Sequence, residues 1–396
     1  MSSKPLPLDQ VSVVEFCSTA AGPFASMLLS DMGASVIKVE PPNGDGLRQW
    51  PPLTEGFSEN FASLNRNKKS IVLDLKNDED NDIARRLVLD ADVLIENNRP
   101  GVMERLGLGY PQFAAERPDL IYCSISAYGQ TGPRADEGGF DLTIQAAAGV
   151  MSVTGESDGA PVKCGVPISD FASGLYAAFA VTSALVRVRA GGNGAHIDVP
   201  MFGCTLGIAA LQTSEFFGTG LLPRRLGSAH PRNAPYQAYR AADGFFAIAA
   251  GNDGLWREVC RVVGRDYLVT DGRFLTTADR ASNQHSLKEL LEAVFETQPV
   301  DYWIGAFAKA RVPHARINSY DAALGDPQTR HMGWIKELQL PGGRTTQTFA
   351  SPLKFGGESF EIRSRPPLLG EHTKEFRDAY SRRQPDLNRV STRSED

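Results

Sequence analysis

Residues 11–48 read VSVVEFCSTAAGPFASMLLSDMGASVIKVEPPNGDGLR. Val11 to Phe16 is a short apolar run. Ala21 to Gly33 places Phe24, Met27, Leu28 and Met32 at helical spacing, and Ser35 to Glu40, SVIKVE, returns to strand character. Strand, helix and strand in about thirty residues make a βαβ unit, which implies a parallel sheet. Working outward, Ser70 to Leu75, Asp92 to Glu96 and Leu120 to Ile125 read as further strands, with a polar-faced helix at Asp78 to Asp90. The fold class is therefore α/β, with a Rossmann-like layer. It lacks a GxGxxG turn, so a dinucleotide site is not expected.

Beyond Pro133 the pattern turns helical, with a small-residue stretch at Asp141 to Val150. Ser169 to Arg189 is the strongest helix. Phe171, Leu175, Ala178, Leu185 and Val188 share its apolar face, Ser169 serves as N-cap, and Gly191-Gly192 stop it. The strand AHIDVPM (195–201) and an apolar helix to about Phe217 follow. Residues 218–232 are rich in Gly, Pro, Arg and His and read as a linker. Gln237 to Ala250 alternates around Asp243-Gly244, a hairpin signal, and helices follow it. The expected division is a large domain at 1–217, the linker 218–232, a smaller α+β domain at 233–330, and a return to the large domain over 331–396. The last ten residues are expected to fray.

A chain of 396 residues supports about two domains. A net charge of −6, without long runs of one sign, argues against nucleic acid or an anionic membrane as partner. The start MSSKPLPLDQ lacks a signal-peptide pattern, and Gly174 to Val188, the most apolar stretch, reads as a buried helix too short to span a membrane. Five scattered cysteines without CxxC spacing suit reduced thiols in a cytoplasm. The six histidines show no metal spacing, and neither a GxSxG elbow nor a P-loop is present.

Asp170 is the candidate nucleophile. It is a carboxylate in the first turn of an apolar helix, after the irregular KCGVPIS (163–169), where free backbone N–H groups and the helix dipole favour its ionised form. Such a carboxylate in a partly dry pocket can attack an acyl group. From position alone the commoner reading is a helix-start residue that satisfies backbone donors. Lys38, Arg48, Arg66, Lys68, Lys69, Arg99 and Arg105 fall on or near loops after predicted strands, where α/β proteins bind ligands, and suit a phosphate-bearing ligand.

Seven segments together resemble the class III CoA-transferases, the group of formyl-CoA transferase, carnitine CoA-transferase and α-methylacyl-CoA racemase. They are AAGPFASMLLSDMGASVIKVEPPNGDGLR (20–48), NRNKKSIVLDLK (65–76), DVLIENNRPGVMERLGLGY (92–110), ISAYGQTGP (125–133), GNGAHIDVPM (192–201), NAPYQAYRAADGFFAIAAGND (233–253) and PPLLGEHTKE (366–375). The resemblance implies an interlocked, ring-like homodimer, with a large Rossmann-like domain and a small inserted one. It implies Asp170 as the covalent nucleophile. It implies coenzyme A as the transferred group, with no tightly bound cofactor and no metal. It places Thr19, Ala20, Lys38, Leu73, Lys76, Asn97, Arg99 and Arg105 against coenzyme A. Ala20 stands where formyl-CoA transferase has glutamine, so an oxalate–formate exchange is not implied.

The family's racemases carry a histidine before the aspartate that opens the small-residue helix; here the pair is Phe140-Asp141. Phenylalanine holds no proton, which favours transfer over two-base racemisation. A third reading is a non-catalytic coenzyme A-binding subunit, against which Asp170 itself stands. Succinyl-CoA as donor and a dicarboxylate such as itaconate, mesaconate, glutarate or oxalate as acceptor fit the family. PRRLGSAHPRN (223–233), with Arg224, Arg225 and His230, is a candidate to receive a second carboxylate, or a solvated linker.

Overall fold

The computed structural model describes residues 5–381. The expected fraying of the last ten residues lies outside them. The chain forms two compact units. One runs up to Val150, resumes over Cys164–Ser214 and again from Gln328 onward; the other comprises Met151–Lys163 and Glu215–Pro327. Residues 218–232 thus fall wholly in the second unit, and a segment near residue 155, expected in the large domain, joins them there.

The first unit is built on β1 (Ser12–Phe16), α1 (Ala21–Asp31), β2 (Ser35–Glu40), β3 (Lys68–Val72), α2 (Asp78–Asp90), β4 (Val93–Glu96), β5 (Ile121–Ser126), α3 (Asp141–Ala147), α4 (Ile168–Arg189) and β6 (Ala195–Pro200). Its six strands lie in the order β3-β2-β1-β4-β5-β6, and every pairing is parallel. This is the doubly wound arrangement, and the strand order reverses between β1 and β4. Alternate residues serve opposite faces: Val13 packs with Val36, Val93, α1 and α4, whereas Val14 packs with Val39, Leu94 and α2. The central strands are covered on both faces, so β4 and β5 are wholly buried and β1 nearly so, whereas the edge strand β6 buries only Val199.

α4 departs from the expected helix in two ways. It begins at Ile168, so Ser169 is its second residue and not its cap. Its buried face is mostly small residues, Ala172, Ser173, Gly174, Ala177, Ala178 and Val181, joined by Leu185; of the expected apolar face Ala178 and Leu185 are buried, while Leu175, like Phe179, is exposed. An ideal Cβ on Gly174 would lie 2.8 Å from the Phe24 ring and 2.9 Å from the Ala21 carbonyl. Glycine lets α4 approach α1 closely there, and larger side chains are turned outward. α4 is also long and apolar enough to cross a membrane by length and composition, with mean hydropathy 1.5. The expectation that no stretch reaches that length is corrected; one face of this helix packs on α1.

The second unit holds an antiparallel sheet: β7 (Tyr236–Ala241) and β8 (Gly244–Ala249) form the expected hairpin, turning through Ala242-Asp243, and β9 (His314–Arg316) adds a third strand. The Asp243 carboxylate accepts the Val300 amide at 2.7 Å, tying the turn to the start of the helix Val300–Ala310. Tyr239, Phe246, Trp256, Phe295 and Phe307 fill this unit's core.

Candidate active site

The loops after β1 and β4 meet where the strand order reverses. The Asn97 side chain accepts the Ser18 amide at 2.9 Å and donates to the Ser18 carbonyl at 2.8 Å. Ala20 closes the first loop as the N-terminal boundary of α1. Thr19 is held at a φ of +67°, in the left-handed region that branched side chains avoid. Arg99 is exposed at the end of the second loop. An ideal Cβ on Gly138 would come 3.0 Å from its guanidinium, so Arg99 lies on the backbone two residues ahead of Phe140.

Phe140 and Asp141 open α3, with Phe140 76% exposed. The Phe140 amide donates to Thr143 Oγ1 at 2.9 Å. Asp141 Oδ1 accepts the Ser169 amide at 2.9 Å, and its Oδ2 accepts Gln145 Nε2 at 2.7 Å. Gln145, fully buried, in turn accepts the Cys164 amide at 2.8 Å. Asp141, not Ser169, therefore caps α4. Ser169 Oγ is buried with no hydrogen-bond partner.

Asp170 follows in the first turn of α4, half-buried. No hydrogen bond or ion pair reaches its carboxylate among the described residues. Burial, and then the charge of Asp141 beside it, raise its pKa from 3.8 to about 6. The helix start favours the charge, but burial disfavours it, and Asp141 both repels it and occupies the Ser169 donor; with a pKa of about 6 Asp170 is still ionised at neutral pH. Phe171, the next residue, packs on Phe24 with ring centroids 4.8 Å apart, so the start of α4 abuts the start of α1. Thr19, Ala20, Asn97, Arg99, Phe140, Asp141 and Asp170 thus come from four neighbouring segments of one unit.

A nucleophilic carboxylate must be ionised, so activity should fall as pH drops through about 6. Asp141→Asn keeps an acceptor for the Ser169 amide and removes the repulsion. The acid limb of kcat/KM should then move to lower pH, by up to about one unit. A pH–rate profile of both enzymes checks this; an unmoved or rising limb contradicts it.

The remaining candidates divide. Lys76 and Arg105 are exposed and line an open cleft of about 550 Å³ beside α2. Leu73 is a correction: its side chain lies in the core under α2, leaving only backbone for a ligand. Lys38 is another. It is fully buried in β2, donates to the Cys17 carbonyl at 2.8 Å and pairs with Asp45 at 2.9 Å and Glu15 at 3.2 Å. Most of the cationic cluster is spent likewise: Arg48 on Glu40, Arg66 on Asp31, Lys68 on Glu15 and Lys69 on Glu375.

In the second unit, Arg225 donates to the Gly159 carbonyl at 2.9 Å. His230 Nδ1 accepts the Arg232 and Asn233 amides, both at 3.1 Å, so it closes its own turn. Arg224 is exposed with no ion pair or hydrogen bond among the described residues. Asp45 was missed by sequence reasoning. It stands in GDGLR, a segment singled out for its glycines and its arginine. The caps of α4 were missed too, because Asp141 lies 28 residues from Ser169.

The fold and site define a doubly wound α/β enzyme that presents a free carboxylate near the loops of the strand-order reversal. Residues 8–373 match the model of CoA-transferase family III, and the chain belongs to that family as a CoA-transferase. It is 36% identical to a succinate–glutarate CoA-transferase of Agrobacterium fabrum, over 94% of this chain and 95% of that one. It is 41% identical to an acetyl-CoA:oxalate CoA-transferase of Acetobacter aceti, over 89% and 90%. A crystal structure of a CaiB/BaiF family protein from Brucella suis superposes with a TM-score of 0.84 at 39% identity, covering 95% of this chain and 100% of that one.

Proposed function

We propose that this chain moves coenzyme A from an acyl-CoA, with succinyl-CoA as the first candidate, to a dicarboxylic acid, and that Asp170 is the covalent nucleophile. The carrying observation is the half-buried Asp170 carboxylate, free of hydrogen bonds in the first turn of α4. The Asp170 carboxylate attacks the donor thioester carbonyl and expels coenzyme A thiolate, leaving a mixed anhydride. The thiolate attacks the Asp170 carbonyl, releases the donor acid and leaves an aspartyl-CoA thioester. The acceptor carboxylate attacks that thioester and the sequence runs in reverse. Phe140, with no proton to move, supports acyl transfer over racemisation.

The acceptor class rests on the relatives, whose names specify glutarate, oxalate, mesaconate and D-citramalate. Ligand contacts on this reading come from Thr19, Ala20, Arg99, Lys76 and Arg105. The exposed Leu175, Phe179 and Val186 on α4 favour a second copy covering that helix, as in an interlocked homodimer. A panel of acyl-CoA donors against mono- and dicarboxylates, read by mass spectrometry, tests the function. New dicarboxyl-CoA esters are expected from the purified single chain, with kcat/KM at least about tenfold above monocarboxylates. Solvent deuterium entering the α-carbon without coenzyme A exchange would sink it.

A further inference from the structure

We propose that Asn97 is a positioning residue and not a ligand contact, acting with Asn98, Lys38 and Asp45 to pin the backbone after β1 beside the nucleophile. This rests on the reading of Asp170 as that nucleophile. The Asn97 amide is spent at both ends, on the Ser18 amide and the Ser18 carbonyl. Asn98 Nδ2 donates to the Phe16 carbonyl at 3.3 Å. Lys38 donates to the Cys17 carbonyl at 2.8 Å, and Asp45 Oδ1 accepts the Thr19 amide at 3.1 Å. Three consecutive carbonyls and two consecutive amides are therefore held by side chains from β2, from the loop after it, and from the loop after β4.

Such anchoring has a physical reason. Thr19 sits in left-handed backbone, which a branched residue adopts at a cost and keeps where the surroundings over-determine it. In doubly wound folds the two loops at the strand-order reversal part to admit a ligand. Here side-chain amides bridge them instead. The bridged segment runs into Ala20 and Ala21, and Ala21 touches α4 at Gly174, one turn beyond Asp170. Loosening the bridge displaces the groups next to the attacking carboxylate, and a misplacement of about 1 Å lowers a rate by about 10²-fold.

The test measures kcat and KM for the acyl-CoA in Asn97→Ala, Asn97→Asp, Asp45→Asn and the pair Asn97→Ala with Asp45→Asn. Asn97→Ala should lower kcat by about 10- to 100-fold, with KM within about threefold of wild type. Asn97→Asp keeps the acceptor for the Ser18 amide and should fall between. The paired variant should lose less than the product of the singles, because Asp45→Asn removes the ion pair that seats Lys38, and Lys38 holds the same loop at the Cys17 carbonyl. A tenfold rise in KM with unchanged kcat would show direct ligand contact and overturn the proposal, as would full multiplication of the two losses. Should Asn97→Ala fail to fold, the Asn97→Asp and Asp45→Asn pair carries the same comparison. Asp170→Ala, assayed alongside, separates the two readings: full activity there defeats the nucleophile and leaves the loop result standing.

Discussion

Asp170→Asn should lower transfer by at least about 10³-fold while the protein still binds coenzyme A. The substitution keeps the shape of the side chain and removes its capacity to attack a thioester. It also removes the repulsion from Asp141, so folding stability at neutral pH should hold or rise. The sign follows from the raised pKa of about 6. An acid whose folded pKa lies above its unfolded value loses stability as pH climbs from the unfolded pKa to the folded one. The neutral amide is spared that loss. Covalent chemistry gives the direct check. Wild-type protein given acyl-CoA alone and quenched with hydroxylamine should carry a hydroxamate within the tryptic peptide Cys164–Arg187, whose sole acid is Asp170. Label on a different peptide, or equal label on Asp170→Asn, removes Asp170 from the mechanism. The result separates this enzyme from a coenzyme A-binding subunit, which would acquire no label.

The periodic parts of the chain were legible because each depends on neighbours in sequence. Val11 to Phe16, the helix after it and SVIKVE announced the parallel sheet, and Asp243-Gly244 announced the hairpin of the second unit. What stayed hidden depends on partners far along the chain. Lys38 and Glu40 alternate with Ile37 and Val39 in β2, a pattern that reads as one polar face turned to water. A central parallel strand has no such face, so both charges point inward and find Glu15, Asp45 and Arg48. α4 misled for a related reason: hydropathy marks Leu175 and Phe179 as core residues, whereas close packing on α1 selects alanine and glycine. Asp170 itself was legible through its helix and its motif, but its raised pKa was not, because it comes from burial first and then from Asp141, which lies on a different helix.

Lys38→Met should destabilise the first unit by about 3–5 kcal/mol, the range for stranding a buried charge by removing its partner. Lys38 and Glu15 are both completely buried. Burial alone would raise the pKa of Glu15, and it stays below its ordinary value because Lys38 and Lys68 outweigh that effect. Asp45 Oδ2 has Lys38, at 2.9 Å, as its one polar partner among the described residues. Methionine fills the space but leaves Asp45 Oδ2 and the Cys17 carbonyl bare, while Glu15 keeps Lys68 at 3.2 Å. The penalty should depend on pH in a definite sense. Glu15 and Asp45 have folded pKa values below their ordinary 4.5 and 3.8, so their stabilisation is present above those values and is lost as pH falls through the folded ones. The gap between wild type and Lys38→Met should therefore be widest near neutrality and narrow below about pH 4. Adding Glu15→Gln and Asp45→Asn to Lys38→Met should recover part of the loss, because the cost arises from stranded charge and not from missing volume. Urea unfolding at pH 7 and at about pH 3 measures all of these. A constant gap across pH, together with no recovery in the triple variant, would mean that the lysine contributes packing alone.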